Sequence, residues 1–346
     1  YQLTLNKRNF GSSYAHLSNV RAISAYSMTV DREVIIDRSS ARYLISENIN
    51  DNVDFDLKKG IDTFINRIEL LKDEGRLHPF CKWACAQEGD DLKELFCGAQ
   101  FAGSRGTMRL IAMTIMIHNP PRFVKPENAW TVIAVKTGDV ILLCEKSKKY
   151  EEVNAMGTYS GFKFEQHMTS DKPQGEAFTD VPVDNRAVFK KMIRCDISLE
   201  GQSIGICGAA EVDAIDGDSS IELQTRQITR EFGFFPSLKM VLQSELADVH
   251  SAVIGWKTED LVVKKVTRVP ISSFKPILKR SDENALAFLF SVLRYTQNML
   301  TKCAWRNACE ISYVPLKGIV EFNDFPKEEA MDLLTPEFKK KFNLGD

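Results

Sequence analysis

The chain has 346 residues, 44% of them hydrophobic and 27% charged, the proportions of a folded globular protein rather than a disordered one. Its 45 Lys and Arg against 47 Asp and Glu leave a formal net charge of -2, which excludes a globally basic surface and confines any polyanion site to a local cleft. No apolar run is long enough to span a bilayer, and no signal-peptide pattern opens the chain, which starts at Tyr1 rather than Met.

A chain of this length can form one large domain with a sizeable core. Eight cysteines are scattered through it, several in apolar patterns, as buried free thiols of a reducing compartment are. Cys81 and Cys85 have a metal-like spacing, but no second Cys or His pair follows and structural zinc needs four ligands.

In chain order, residues 1–50 are mixed and polar, with short β-like runs such as Glu33 to Ile36, and are expected to form an outer layer. From Asp56 to Lys72 the residues Leu57, Ile61, Phe64, Ile65, Ile68 and Leu71 fall on one stripe and predict a helix, capped by Asp54 or Asp56. Gly103-Ser104-Arg105-Gly106 reads as a turn, followed by a helix over 105–116 with Arg105 near its start. Arg105 is either a surface charge or a fork of donors for a phosphate.

Trp130 to Cys144 predicts a hairpin turning at Thr137-Gly138-Asp139. The stretch Tyr159-Ser160-Gly161-Phe162-Lys163-Phe164-Glu165 reads as extended, with Tyr159, Gly161, Lys163 and Glu165 on one face and Phe162 and Phe164 anchoring the other. On that reading Gly161 leaves room for close backbone or ligand approach.

The segment Cys195 to Ile228 carries Glu211, Asp213 and Glu222. Glu211 and Asp213 are two apart, so on a strand they share a face. Asp216-Gly217-Asp218 is a turn signal that folds Ser220 to Ile228 back and brings Glu222 towards the pair. Acidic strand residues are usually just solvated, but Ile204, Ile206, Cys207, Ala209, Ala210, Val212, Ala214 and Ile215 make this strand apolar on both faces, and carboxylates inside such a strand need a partner. A divalent metal is the simplest one.

A helix over 238–247 bearing Gln243 follows, then a strand pair over 249–266 containing Gly255-Trp256-Lys257. From Lys257 to Arg280 seven basic residues face two acids, a local surface that is either solvated or tracks a phosphodiester backbone. Asp282 to Trp305 predicts a long helix, and a mobile C-terminal tail is expected from about 326.

These residues resemble, in order, the motifs of the DXO/Rai family of RNA 5′-end decapping nucleases. The match runs through Ser104-Arg105-Gly106, Gly161 to Glu165, Glu211-Val212-Asp213, Glu222-Leu223-Gln224-Thr225, Gln243-Ser244 and Gly255-Trp256-Lys257. The resemblance implies an α+β fold in one domain, with a mixed β-sheet core flanked by helices and related to PD-(D/E)XK nucleases. It implies that Glu165, Glu211, Asp213 and Glu222, with the main-chain carbonyl of Leu223, hold one or two Mg²⁺ or Mn²⁺ ions. Arg105 and Gln243 would contact RNA, with Lys163 and Lys257 as further basic contacts.

The implied substrates are RNAs with incomplete or non-standard 5′ ends: triphosphate, unmethylated or NAD-type caps, monophosphate or hydroxyl. Some members proceed 5′→3′ into the RNA, and Rai-type members partner a 5′→3′ exoribonuclease. The implied place is the nucleus or cytoplasm, with no membrane partner. One departure stands out. Gln224 replaces the family lysine, and the loss of such an electrostatic contact commonly costs about 10²–10³ in rate. Three readings follow: a slower or more restricted enzyme, another base such as Lys163 substituting, or an RNA-end binding or regulatory protein.

Overall fold

The structure is a computed structural model that describes residues 1–5, 13–118, 124–146, 155–302 and 307–344. Strand-forming stretches rich in Val, Ile and aromatic residues assemble into two sheets. The larger has ten strands, in the spatial order Gln2–Thr4, Ile319–Asp324, Ala308–Val314, Trp130–Thr137, Val140–Glu145, Phe101–Ser104, Gln202–Glu211, Val188–Leu199, His16–Met28 and Val34–Ile35. The smaller has seven: Phe55–Asp56, Val262–Pro270, Val249–Lys257, Ser219–Gln227, Ala214–Asp216, Tyr43–Leu44 and Thr169–Ser170. Both sheets are mixed. Phe101–Ser104 runs parallel to both its neighbours, and Ser219–Gln227 runs parallel to Val249–Lys257.

The helices Arg105–His118, Phe234–Glu245 and Ser281–Lys302 pack against one another and against both sheets. One core joins Met108, Ile111, Val241, Leu289 and Leu293 of these helices to Ile204 and Ile206 of the large sheet and to Ala252 and Ile254 of the small one. A second core covers the opposite face of the large sheet, where Phe80, Trp83 and Phe96 meet Ala102, Met192 and Cys207. The strand Gln202–Glu211 is therefore buried on both faces. This explains its unbroken apolar run, since alternation disappears when neither face meets water.

The expected hairpin at Trp130–Glu145 is present, with Gly138 at φ +64 in its turn. Three other expectations are corrected. The stripe over 56–72 is not one helix: Phe55–Asp56 is a strand, Ile61–Thr63 a single 3₁₀ turn and Ile68–Asp73 a short helix. Gly60 at φ +90 breaks it, a conformation no helix contains, and Asp56 accepts from the Lys58 N–H at 2.9 Å as a turn residue.

The Tyr159–Glu165 stretch is not extended but lies in the helix Ala155–Met168. Ser160, Phe164 and Met168, all buried, recur every four residues, a helical period that the aromatic alternation masked. The C-terminal segment is not a tail. Helices Lys327–Met331 and Pro336–Lys341 dock Phe338 and Phe342 into the second core, and Lys341 Nζ donates to the carbonyls of Ala84 and Cys85 at 3.2 Å. The added positive charge suits the C-terminus of the helix His78–Cys85, where these two carbonyls lie.

The basic run 257–280 is largely neutralised. Lys264 pairs with Asp54 at 2.5 Å, Lys265 with Asp51 at 2.8 Å, Lys275 with Glu245 at 2.5 Å, Arg280 with Glu283 at 2.5 Å, and Arg268 with Asp216. Cys303 to Trp305, at the end of the long helix predicted from Asp282, lie outside the described residues.

Candidate active site

The two sheets meet at Glu211-Val212-Asp213. The strand Gln202–Glu211 ends the large sheet's contribution, and Ala214–Asp216 opens the small sheet's. Val212 holds the crossing: its N–H donates to Phe189 O at 3.0 Å, and its side chain packs with Ala41, Phe189 and Ile215. Gly217, at φ +60, then turns the chain into Ser219–Gln227. Asp213 Oδ2 accepts the Leu223 N–H at 2.9 Å, which pins the crossing beside Glu222.

Glu165 arrives from the helix Ala155–Met168, which packs on the small sheet through Phe164 and Met168 against Ala214, Ile221, Leu223 and Val253. Gly255 belongs to this contact. A Cβ there would overlap the Phe164 ring, so the glycine of Gly255-Trp256-Lys257 lets the helix bearing Glu165 approach. Gly161, by contrast, has nothing within 4 Å of its Cβ position.

Four carboxylates therefore converge, Glu222 buried and Glu165, Glu211 and Asp213 half-buried, and their electrostatics follow. Burial, then the charges of Glu222 and Glu165, push the Asp213 carboxyl well above the usual range. Burial and the charges of Glu211 and Glu222 push Glu165 up to about 8, with Arg67 opposing. Glu222 is raised by burial against the opposing pull of Arg105, Lys239 and Arg109. Glu211 goes the other way: burial would raise it, but Arg67 and Lys190 together hold it below the ordinary carboxylate value. Like charges out of water either take up protons or require cations.

Asp213 has the Leu223 N–H, and Glu211 and Glu222 have side-chain partners. Arg67 Nη1 donates to Glu211 Oε1 at 3.1 Å. Gln243 Nε2 donates to Glu222 Oε1 while Gln243 Oε1 accepts from Arg109 Nη1 at 3.1 Å. Arg105 Nη1 stands 3.8 Å from Glu222 Oε2 and has no hydrogen-bond partner, though buried. Among the described residues no three His, Cys, Asp or Glu side chains are arranged around one ion-sized position. The set nevertheless fits a hard divalent cation in kind: four carboxylate groups, three of them raised by burial and Glu165 and Asp213 also by repulsion from their neighbours, costs that a bound cation would offset.

Of the residues singled out in the sequence, the structure brings together Glu165, Glu211, Asp213, Glu222, Leu223, Arg105 and Gln243. Gln224 shares a strand face with Glu222, and its Oε1 is buried without a partner. Lys163 is not brought in. On a helix it points away from Glu165 two positions later, and its Nζ donates to Gln166 Oε1 and Thr179 O, both at 2.7 Å. Lys257 ends the strand Val249–Lys257, five residues beyond the register partner of Glu222 at Ala252, about 16 Å along the sheet.

Arg67, Arg109, Lys190 and Lys239 join the site without having been foreseen. Arg109 follows Arg105, and Gln243 follows Lys239, by four residues on helices, a spacing that places each pair on one face. Arg67 has no such signal. Glu211 lines two cavities. One of about 600 Å³ is shared with Glu165, Asp213 and Phe162. The other, about 190 Å³, is bordered by Arg32, Arg67 and Lys190.

The family model for RAI1-like PD-(D/E)XK nucleases matches residues 18–339. The chain is 28% identical to the decapping nuclease dom-3 of Caenorhabditis elegans over 343 residues, 92% of this chain and 84% of the relative. In fold it is similar to Rai1 of Scheffersomyces stipitis in complex with (3′-NADP)⁺ and calcium ion, with TM-score 0.71, 17% identity, and coverage of 100% of this chain and 98% of the other. It is likewise similar to Candida albicans Rai1 in complex with pU5-Mn²⁺, with TM-score 0.70, 16% identity, and 99% of each chain covered.

Proposed function

The chain belongs to the RAI1-like PD-(D/E)XK nuclease family, and from that premise we propose that it is a divalent-metal-dependent hydrolase of RNA 5′ ends, acting on incomplete or non-standard ends such as triphosphates and unmethylated or NAD-type caps. The observation that carries this reading is the convergence of Glu165, Glu211, Asp213 and Glu222 where the two sheets meet. The pU5-Mn²⁺ held by the Candida albicans protein and the (3′-NADP)⁺ and calcium held by the Scheffersomyces stipitis protein support the substrate and ion class.

Glu165, Glu211, Asp213, Glu222 and the carbonyl of Leu223 would hold one or two Mg²⁺ or Mn²⁺ ions. A bound divalent ion activates a water near neutral pH and offsets charge on the leaving oxygen. The chain's own residues do the rest. Arg105, whose buried Nη1 has no acceptor, neutralises a phosphate oxygen of the substrate. Gln243, steadied by Arg109, trades its bond to Glu222 for one to the RNA backbone. Gln224, on the face of Glu222, orients the water by hydrogen bonding but brings no charge.

The test is a panel of RNAs identical except at the 5′ end, incubated with Mg²⁺ or Mn²⁺ and resolved by product length, which also separates end removal from 5′→3′ degradation. Metal-dependent product from at least one end type, abolished by Asp213→Ala, is expected. No turnover on any end would sink the reading.

A second reading is favoured by Gln224 itself. Lys163 is committed to Gln166 and Thr179, and the lysine that acts on Glu222 is Lys239 of the facing helix. A chain weakened in this way would bind RNA 5′ ends and support a separate 5′→3′ exoribonuclease in the nucleus or cytoplasm. It would show end-dependent RNA binding without turnover, and stimulation of the partner enzyme.

A further inference from the structure

Lys163 is an ammonium with no part in the chemistry above, yet it is 2% exposed. A charge taken out of water is costly unless its donors find acceptors. Lys163 Nζ finds two, Gln166 Oε1 and Thr179 O, both at 2.7 Å. Gln166, further along the helix Ala155–Met168, extends the contact, since its Nε2 donates to Val181 O at 3.1 Å. Lys163 and Gln166 share a helix face by their spacing, and together they hold two alternate main-chain carbonyls of one loop.

That loop, residues 171–187, links the strand Thr169–Ser170 to the strand Val188–Leu199. A connection this long with no helix or strand of its own is uncommon unless it has a role. Its far end is fixed elsewhere: the Ile65 N–H donates to Val183 O at 2.9 Å and the Asn185 N–H to Ile65 O at 3.3 Å. Nearer Lys163, Phe178 and Val181 are each 53% exposed and border the cavity of about 600 Å³ that Glu165 and Asp213 also line. Large apolar side chains kept in the open at the mouth of a polar cleft mark a contact surface. Glu165 stands between Lys163 and Gln166 in the chain, so one helix carries both a carboxylate of the site and the loop beside it.

We propose that Lys163 is a positioning residue: through Thr179 and Gln166 it sets the segment 178–182 as one wall of the cleft, in fixed relation to Glu165, and this wall rather than the lysine meets the incoming RNA. The assignment rests on the reading that the chain acts on RNA 5′ ends. It also accounts for the buried charge. A methionine would fill the same space without an ammonium to desolvate, but it would release Thr179. Holding the wall in place before binding lowers the ordering entropy that the RNA contacts must offset.

Two readouts on the full chain test it. The first is cleavage by chymotrypsin after Phe178, followed by mass spectrometry. Lys163→Met should speed this cut by about tenfold or more, because a loop freed from its anchors opens locally more often. The second is affinity for a 5′-triphosphorylated oligoribonucleotide, read by fluorescence anisotropy in EDTA and so independent of cleavage. Lys163→Met should weaken it by about fivefold or more. With Mn²⁺ added, KM should rise by a similar factor while kcat and the affinity for Mn²⁺ stay within about twofold, since the carboxylates keep their places. Gln166→Leu, which cuts the link to Val181 and spares Lys163, should move both readouts in the same direction.

Lys59→Ala removes an exposed lysine paired with Asp180 of the same loop and should leave both readouts unchanged, since so exposed a pair holds little. Unchanged cleavage after Phe178 in both Lys163→Met and Gln166→Leu overturns the anchoring. Faster cleavage with unaltered RNA affinity overturns the wall as a substrate contact. RNA affinity lost equally in Lys59→Ala, or Mn²⁺ affinity lost in step with it in Lys163→Met, would point to net charge or to the metal site and overturn the assignment as well. A wild type that binds the RNA and loses affinity on Lys163→Met, but cleaves nothing with metal added, would overturn the proposed activity and leave the positioning role standing.

Discussion

Arg67 donates to Glu211 at 3.1 Å across 144 positions of sequence. The pair fixes one member of the carboxylate cluster as an anion while its neighbours are pushed towards protonation. On the proposed function, the same contact would compete with a metal ion for Glu211. Arg67→Ala is expected to tighten Mn²⁺ binding by up to about fivefold, since a partly exposed ion pair contributes about 1 kcal/mol at most. Isothermal titration at neutral pH reads this directly, and weaker binding in the variant would show that Arg67 supports the ion site rather than competing with it.

On the proposed function, Gln224 would limit chemistry and not metal binding, because the carboxylates are contributed by other residues. Gln224→Lys should therefore raise metal-dependent turnover by about 10²–10³, the usual size of one electrostatic contact at a reacting centre. The Mn²⁺ dissociation constant should change little. A variant that gains no activity under single-turnover conditions would remove Gln224 as the limiting residue.

Gly255 holds its place because Phe164 packs onto it. Gly255→Ala should push back the helix Ala155–Met168 and with it Glu165. A loss of about 1–3 kcal/mol of stability is expected from overpacking, together with at least a tenfold weaker affinity for Mn²⁺. Chemical denaturation and metal titration on the same variant separate the two effects. A destabilised protein with unaltered metal affinity would show that Glu165 does not depend on this contact.

Burial pushes the thiols of Cys81 and Cys195 up to about 12 and that of Cys144 up to about 11. The folded state thus retains protons that the unfolded chain releases above its ordinary thiol value near 9, and stability falls as pH rises from about 9 towards 12. At pH 8 iodoacetamide should modify the exposed Cys97 and spare these three until the protein unfolds. Mass spectrometry after timed labelling is the measurement, and rapid native labelling of Cys81 would contradict its burial.

The hairpin at Trp130–Glu145, the helix from Arg105 and the doubly buried strand ending at Glu211 were all legible in the sequence. Their signals are local: turn residues, spacing and unbroken apolar runs. The motif order likewise announced Glu165, Glu211, Asp213 and Glu222 as a set, because those residues carry their chemistry wherever the backbone places them.

Only the tertiary structure decided how that set is held. Local alternation favoured an extended stretch around Phe162, but a helical face of Ser160, Phe164 and Met168 found a core to bury, and the resulting turn sent Lys163 to Thr179 instead of to the carboxylates. The neutralised basic run and the docked Phe338 depend on partners tens to hundreds of residues distant. Sequence determined which groups are acidic and which strands are buried. The crossing between the two sheets, with Arg67 on Glu211, was decided by long-range packing, because charge pairing acts through space and leaves no periodicity in the chain.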